Sequence, residues 1–224
     1  MIIRVMTYNV HSCIGLSKKD SLPQINNLFE VYKPSIVGLN EVEKMSPRTL
    51  FVDQAKKLAQ NWFPYYVFGP AIKIGPFGFF GNAILSKFPI IAWECIKLHS
   101  KIEFRACIKA RIQLPGTELT VVVTHLGLNK EERVGQIETL AGLIRGERTP
   151  VILMGDFNAF TDELRPLEGL VRDLGVNSGP TFPADNPTAR IDYILVSENI
   201  VDYSLEVINS DASDHLPVLA TLEV

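Results

Sequence analysis

Short runs of β-branched and aliphatic residues recur along the whole chain, and most of them stop at a short polar motif. The runs are Ile2 to Tyr8, Ser35 to Leu39, Asn82 to Ser86, Ala106 to Leu114, Leu119 to Thr124, Val151 to Met154, Ile191 to Val196 and Val218 to Leu222. Their length and β-branched content predict strands. Amphipathic segments separate some of them. Ser21 to Tyr32 opens on a capping serine, Ser46-Pro47 starts a predicted helix reaching about Trp62, and Lys130 to Arg145 carries Val134, Ile137, Leu140, Ala141 and Ile144 on one stripe. Pro115-Gly116 between two alternating runs marks a hairpin, so part of the sheet is antiparallel. The expected architecture is α/β: a two-sheet core flanked by helices, with the polar motifs along one rim.

With 46% hydrophobic and 21% charged residues among 224, the chain can bury one substantial core, and a single domain over residues 1–224 is expected. A net charge of −3 argues against a broad basic face for gripping polyanions, although a local cationic groove or a metal can still bind phosphate. Cys13, Cys95 and Cys107 are odd in number and lack metal-like spacing, so they read as packing residues in a reducing compartment. Met1 to Met6 runs straight into a motif without a leader pattern, and no apolar stretch approaches the ~20 residues of a membrane span. A cytoplasmic monomer without a transmembrane segment is expected.

The motifs carry the chemistry. They read Tyr8-Asn9-Val10-His11, Asn40-Glu41-Val42, Gly81-Asn82-Ala83-Ile84-Leu85-Ser86, Thr124-His125-Leu126-Gly127, Gly155-Asp156-Phe157-Asn158, Arg190-Ile191-Asp192-Tyr193 and Ser213-Asp214-His215-Leu216-Pro217. Strand ends are where a rigid scaffold gathers distant residues into one cleft. Together these residues offer hard oxygen ligands for a divalent cation and groups that move protons.

In this order, from Asn9 to His215, the motifs resemble the endonuclease/exonuclease/phosphatase superfamily, which includes deoxyribonuclease I, AP endonucleases, neutral sphingomyelinases and inositol polyphosphate 5-phosphatases. The resemblance implies a four-layered α/β sandwich with two packed mixed β-sheets flanked by helices. It also implies hydrolysis of a phosphate ester by in-line attack of water, assisted by Mg²⁺ or Mn²⁺. By the same resemblance Glu41 is the central metal ligand, with Asn9 and Asp214 completing or supporting the site. Asp156 orients or deprotonates the water, Asn158 bonds the phosphate, and His215 acts in proton transfer with its tautomer fixed by Asp192. His125 is the second catalytic imidazole, on the leaving-group side, while Asn82 and Arg105 support the phosphate pocket.

Each motif alone has a plainer reading. Asp192 suits a surface pair with Arg190, and Asp156 and Asn158 suit a turn. His11 shares a strand face with Asn9 by the two-residue period and is placed beside the ligands, whereas His99 reads as a solvated loop residue. Two departures from the family pattern stand out. Asn40 replaces the usual Gln before the metal-binding Glu, where the shorter amide is expected to brace Glu41. Thr124-His125-Leu126-Gly127 stands where AP endonucleases carry Tyr-x-Pro-Asn, which groups the chain with the deoxyribonuclease I, sphingomyelinase and phosphatase branches. The expected substrate is a phosphodiester: DNA or RNA in the nuclease-like reading, a phospholipid headgroup in the alternative, with a phosphomonoester a further alternative. Phe77, Phe79 and Phe80 in the glycine-flanked segment from Gly75 to Gly81 suit three uses: stacking on bases, insertion among lipid tails, or packing on the core. A catalytically silent binding module would not need Glu41, Asp156, Asn158, Asp192, Asp214 and both imidazoles.

Overall fold

The computed structural model describes residues 1–101 and 103–224. Its strands are β1 Ile2–Asn9, β2 Ile36–Lys44, β3 Tyr65–Ile74, β4 Gly78–Ser86, β5 Ile90–Leu98, β6 Arg105–Leu114, β7 Thr117–His125, β8 Val151–Asp156, β9 Arg172–Asp173, β10 Asp192–Val196, β11 Val201–Val207 and β12 Val218–Glu223. The helices are α1 Leu22–Tyr32, α2 Gln54–Ala59 and α3 Lys130–Ile144, and among the described residues no helix is long and apolar enough to cross a membrane. Two six-stranded sheets form, in the orders β11-β12-β1-β2-β4-β3 and β5-β6-β7-β8-β10-β9. Each is mixed, with one parallel pair near its middle: β1 with β2, and β7 with β8.

Central strands covered on both faces need apolar residues at successive positions, which is why their runs are nearly continuous. Ile36 and Ile84 of the first sheet meet Ile108, Val121, Val123, Ile152 and Met154 of the second. Their neighbours face outward. Val37, Leu39 and Leu85 pack under α1 and α2 through Phe29 and Leu58, and Val122, Leu153 and Leu195 pack under α3 through Ile137, Leu140 and Ile144. The result is the four-layered α/β sandwich.

Besides the two-residue β9, three strands that the apolar runs do not mark, β3, β5 and β11, lie at sheet edges. Each has one partner strand, partly exposed faces and a register break, between Pro70 and Ile72, Ile90 and Ala92, and Asp202 and Ser204. Their alternation is therefore too irregular to mark them. The helix expected from Pro47 to Trp62 is broken. A 3₁₀ turn at Pro47–Thr49 ends in left-handed Leu50 and Phe51, and α2 starts afresh where Asp53 accepts from the Lys56 N–H at 3.0 Å. The glycine-flanked aromatic segment is a hairpin rather than a loop. Gly75, Pro76 and Phe77 form its tip, while Phe79 and Phe80 belong to β4. Val134, expected on the buried stripe of α3, is exposed.

The two sheets are tied by polar bonds as well as by packing. Asn40 on β2 donates to Asn82 Oδ1 on β4 (2.9 Å) and to the Thr124 carbonyl on β7 (2.8 Å), and its Oδ1 accepts from the Asp156 N–H (2.9 Å). Asn82 in turn donates to the Ala106 carbonyl at 2.7 Å. Both residues are buried. At Gly155 φ is +142°, and an added Cβ would lie 1.9 Å from the Thr124 carbonyl oxygen, so only glycine allows β8 to approach β7 there.

Asn40→Ala would strand a buried N–H and a buried carbonyl. It is expected to lower unfolding free energy by about 3 kcal/mol in urea titration, and a loss below about 1 kcal/mol would show that the amide bridge is not structural.

Candidate active site

Strand register alone aligns much of the site. His125 pairs across β7 and β8 with Asp156, and Asp192 pairs with Asp156 from the other side, so three functional groups end one edge of the second sheet. In the first sheet Asn9 pairs with Asn40, one residue before Glu41. Glu41 itself falls in a bulge: the pairing of β2 with β4 slips between Leu39 and Val42, and Glu41 adopts φ +58°. A bulge re-aims a side chain, here into the cleft between the sheet ends. That cleft has a volume of about 670 Å³ and is lined by Glu41, Glu43, Arg105, His125, Asp156, Asn158, Asp214, His215 and an apolar wall including Ile72, Phe80 and Phe182.

Asp156 is the hub. Its Oδ2 accepts from Asn9 Nδ2 at 3.0 Å and lies 3.3 Å from His125 Nε2 and 3.7 Å from His215 Nε2, and its Oδ1 accepts from the Asn158 N–H at 2.9 Å. Burial, then the neighbouring Asp192, raise its pKa above the ordinary carboxylate range. His215 Nδ1 lies 2.9 Å from Asp192 Oδ2 and its ring sits 4.6 Å from that of Phe182. Burial works against the His215 imidazolium, but the charge of Asp192 and its hydrogen bond outweigh burial and raise the pKa. Arg190, the plainer partner for Asp192, instead forms an ion pair with Asp173 at 2.7 Å.

The second imidazole differs. Arg105 Nη1 lies 3.2 Å from His125 Nδ1, and Arg105 Nη2 holds Glu103 at 3.0 Å. A guanidinium only donates, so His125 Nδ1 presents its lone pair and the ring proton sits on Nε2, facing Asp156. Burial, then the charge of Arg105, depress the His125 pKa to about 3; Glu41 opposes this and His215 adds to it. One imidazole is therefore held as a cation and the other as a neutral donor.

Glu41 Oε2 and Asp214 Oδ2 both converge on His11 Nδ1, at 3.6 and 3.4 Å. Burial would raise the Glu41 pKa, yet the hydrogen bonds from His11 and Asn9 and the field of His125 hold it at about 2. Two carboxylates at a partly open cleft floor are a donor set that fits Mg²⁺ or Mn²⁺. Asp156, Asp192 and His215 form a tighter group, with ligand atoms within 4.8 Å of one another. All three are buried and hydrogen-bonded to each other or to Asn9 and Asn158, which makes them a proton network more than an open coordination shell.

Other expected residues are placed differently. His11 does not share a strand face with Asn9: it follows β1 in a left-handed turn, and its N–H bonds Asn9 Oδ1 at 3.1 Å. That bond leaves Asn9 facing Glu41 through its Nδ2 at 3.1 Å, as a donor. Asn40 does not brace Glu41, since its amide is spent between the sheets, and Asn82 lies outside the cleft for the same reason. Phe80 lines the cleft, whereas Phe77 stands exposed at the hairpin tip and Phe79 is half-buried on β4. Two residues of α3 escaped the sequence reading. Arg133 donates to the carbonyls of Gly127 and Leu128 at 3.2 and 2.8 Å, and Gln136 accepts from the Gly127 N–H at 2.9 Å, fixing the segment after His125. Their only signal is polar residues where an apolar stripe would continue.

Two facing mixed sheets with carboxylates and imidazoles gathered at one rim define the class of phosphoester hydrolases built on an α/β sandwich. The chain belongs to the Endonuclease/Exonuclease/phosphatase family, whose model matches residues 6–215 and whose members hydrolyse phosphoester bonds. It is 28% identical over 215 residues to the uncharacterized protein YbhP of Escherichia coli strain K12, covering 86% of this chain and 84% of that protein. The endonuclease/exonuclease/phosphatase structure from Beutenbergia cavernae superposes with a TM-score of 0.87 at 22% identity, over all of this chain and 72% of that one. The mannosyl-6-phosphatase Bt3783 of Bacteroides thetaiotaomicron superposes at 0.80 with 20% identity, over 99% and 100%.

The His125 tautomer is testable by ¹⁵N NMR. The folded ring is expected to stay neutral, with Nδ1 unprotonated, down to about pH 4, one unit above its pKa of about 3. The unfolded ring binds a proton near pH 6.5, so this residue erodes stability as pH falls below about 6.5. Arg105→Met should raise the pKa. A wild-type ring that titrates near its ordinary value, or carries its proton on Nδ1, would refute the assignment.

Proposed function

We propose that this protein is a divalent-metal-dependent phosphodiester hydrolase that directs water in line at phosphorus. The observation that carries the reading is the charge of the cleft. Glu41, Glu43, Glu103, Asp156 and Asp214 face it or flank it, while Arg48 and Arg105 are already paired with Glu43 and Glu103. A phosphate anion meets net repulsion there unless a cation intervenes. Mg²⁺ or Mn²⁺ held by Glu41 and Asp214, with Asn9 behind them, would neutralise the phosphate and the charge on the departing oxygen.

The remaining roles follow from the bonds described. Asp156, with a raised pKa and Oδ2 near the cleft, orients water and takes its proton. His215, held protonated by Asp192, stabilises charge on the phosphoryl oxygens or supplies a proton to the leaving group. His125 donates from Nε2 as a neutral ring, and Arg105 sets that tautomer. Asn158 lines the cleft with one amide proton committed to the Leu126 carbonyl at 3.0 Å, leaving the other for phosphate.

The nuclease-like form of this reading rests on two imidazoles with unlike protonation, suited to cleaving a diester with a poor alkoxide leaving group. A phospholipid headgroup is a second reading, favoured by exposed apolar side chains on the segments that line or adjoin the cleft. Similarity to a mannosyl-6-phosphatase adds a monoester to the panel worth assaying.

Glu41→Gln should cut metal affinity and turnover by orders of magnitude, and EDTA should abolish hydrolysis across a panel of nucleic acids, phospholipids, a chromogenic diester and a monoester. Undiminished activity in excess EDTA would overturn the mechanism. His215→Ala, Asp156→Asn and Asp192→Asn should each lose most turnover while still folding, with a stability loss of no more than about 3–5 kcal/mol from the buried partner left behind. If calorimetry shows them unfolded instead, these residues serve structure.

A further inference from the structure

The segments that line the cleft, or directly adjoin its lining, also carry solvent-exposed apolar side chains. Ile14 and Leu128 belong to the lining itself, exposed by 37% and 74%. Leu50, 86% exposed, directly follows the lining residues Arg48 and Thr49, and Phe104, 63% exposed, lies between Glu103 and Arg105. Phe77, 70% exposed, is the tip of the hairpin whose stems supply Ile74 and Phe80, and Phe160, 60% exposed, is two residues beyond Asn158. Single exposed apolar residues are ordinary, but six from six segments that line or adjoin one cleft are not.

Cations accompany them. Lys18 and Lys19 follow Ile14, Arg48 precedes Leu50, Lys73 precedes Phe77, and Lys130 follows Leu128; all are exposed. Of these five, only Arg48 is ion-paired among the described residues, to Glu43 at 2.7 Å. The acids with exposed side chains on the same segments are Asp20, Glu103, Glu131 and Asp162, and Glu103 is paired with Arg105. A chain of net charge −3 thus presents a locally basic and apolar rim around an acidic cleft.

We infer that this rim docks the protein on an anionic lipid bilayer, with the cleft mouth facing the headgroups. A lipid surface engages apolar and basic tips carried on separate segments, whereas a peptide or a strand needs a groove. Apolar tips enter the interface while neighbouring lysines meet lipid phosphates, and the two contributions together give binding that neither gives alone. A nucleic-acid strand calls for cations aligned along one groove, whereas Lys18, Lys19, Lys73 and Lys130 are spread over separate segments. Docking goes beyond the hydrolase reading and does not depend on it, since none of the rim tips takes part in the proposed chemistry.

The test is co-sedimentation with vesicles of phosphatidylcholine mixed with phosphatidylglycerol, compared with pure phosphatidylcholine, using both the wild-type chain and Glu41→Gln. Both proteins are expected to bind the anionic vesicles and to be released by salt. Combined Leu50→Asp, Phe77→Asp and Phe104→Asp should weaken vesicle binding by at least about a hundredfold with an unchanged melting temperature. Lys18→Glu with Lys73→Glu should also weaken it. Absence of binding to anionic vesicles overturns the inference, as does binding that ignores the rim variants. So does retention of a single-stranded oligonucleotide through the same tips without any vesicle binding. Loss of activity in Glu41→Gln with vesicle binding intact separates this inference from the catalytic reading.

Discussion

The buried amide bridge from Asn40 to Asn82 is the interaction on which the rest of the arrangement depends. Apolar packing holds the two sheets together without fixing their relative slide to a fraction of an ångström, because aliphatic contacts are non-directional. Four hydrogen bonds between 2.7 and 2.9 Å are directional, and three of them cross from β2 or β4 to β6, β7 and β8. Two end on the backbone of Thr124 and Asp156, beside or within the functional residues of the second sheet. Asn40, adjacent to Glu41, and Asn9, whose Nδ2 reaches both Glu41 and Asp156, together hold Glu41 against the second sheet.

Across the cleft floor the charges alternate: Asp192, the His215 imidazolium, Asp156, the neutral His125 ring, Arg105 and Glu103. Buried charges persist only when each is answered by a neighbour, and here each is answered from a different strand or loop. The network also explains why two histidines in similar surroundings behave oppositely. A carboxylate faces Nδ1 of one and a guanidinium faces Nδ1 of the other.

Much of this was legible in the sequence, for a physical reason. Central strands are apolar on both faces, so β1, β2, β8, β10 and β12 declare themselves, and a polar motif at the end of such a run marks a rim position. Edge strands β3, β5 and β11 did not, since one partner and an irregular register relax the pattern. The motif positions of Asn9, Glu41, Asp156, Asp192, Asp214 and His215 all fall at one cleft or its wall. What each amide does was not legible. Whether Asn40 and Asn82 face the cleft or the opposite sheet depends on tertiary hydrogen bonds that strand period does not encode. The same holds for His11, which reaches Glu41 only because Asn9 caps a left-handed turn.

The register breaks in β3, β5 and β11 bear on how copies of this chain meet one another. A straight, unpaired strand edge is a template on which a second molecule can add its own strand. A bulge puts the exposed donors and acceptors out of step with any regular partner, and at β3 the imino nitrogen of Pro70 removes one donor as well. The three long edges are each interrupted once, so sheet extension from molecule to molecule is discouraged at every one of them. Crowded solutions of this protein should thus favour dispersed copies over fibrous aggregates, although Trp93 and Tyr203 stand exposed on two of those edges.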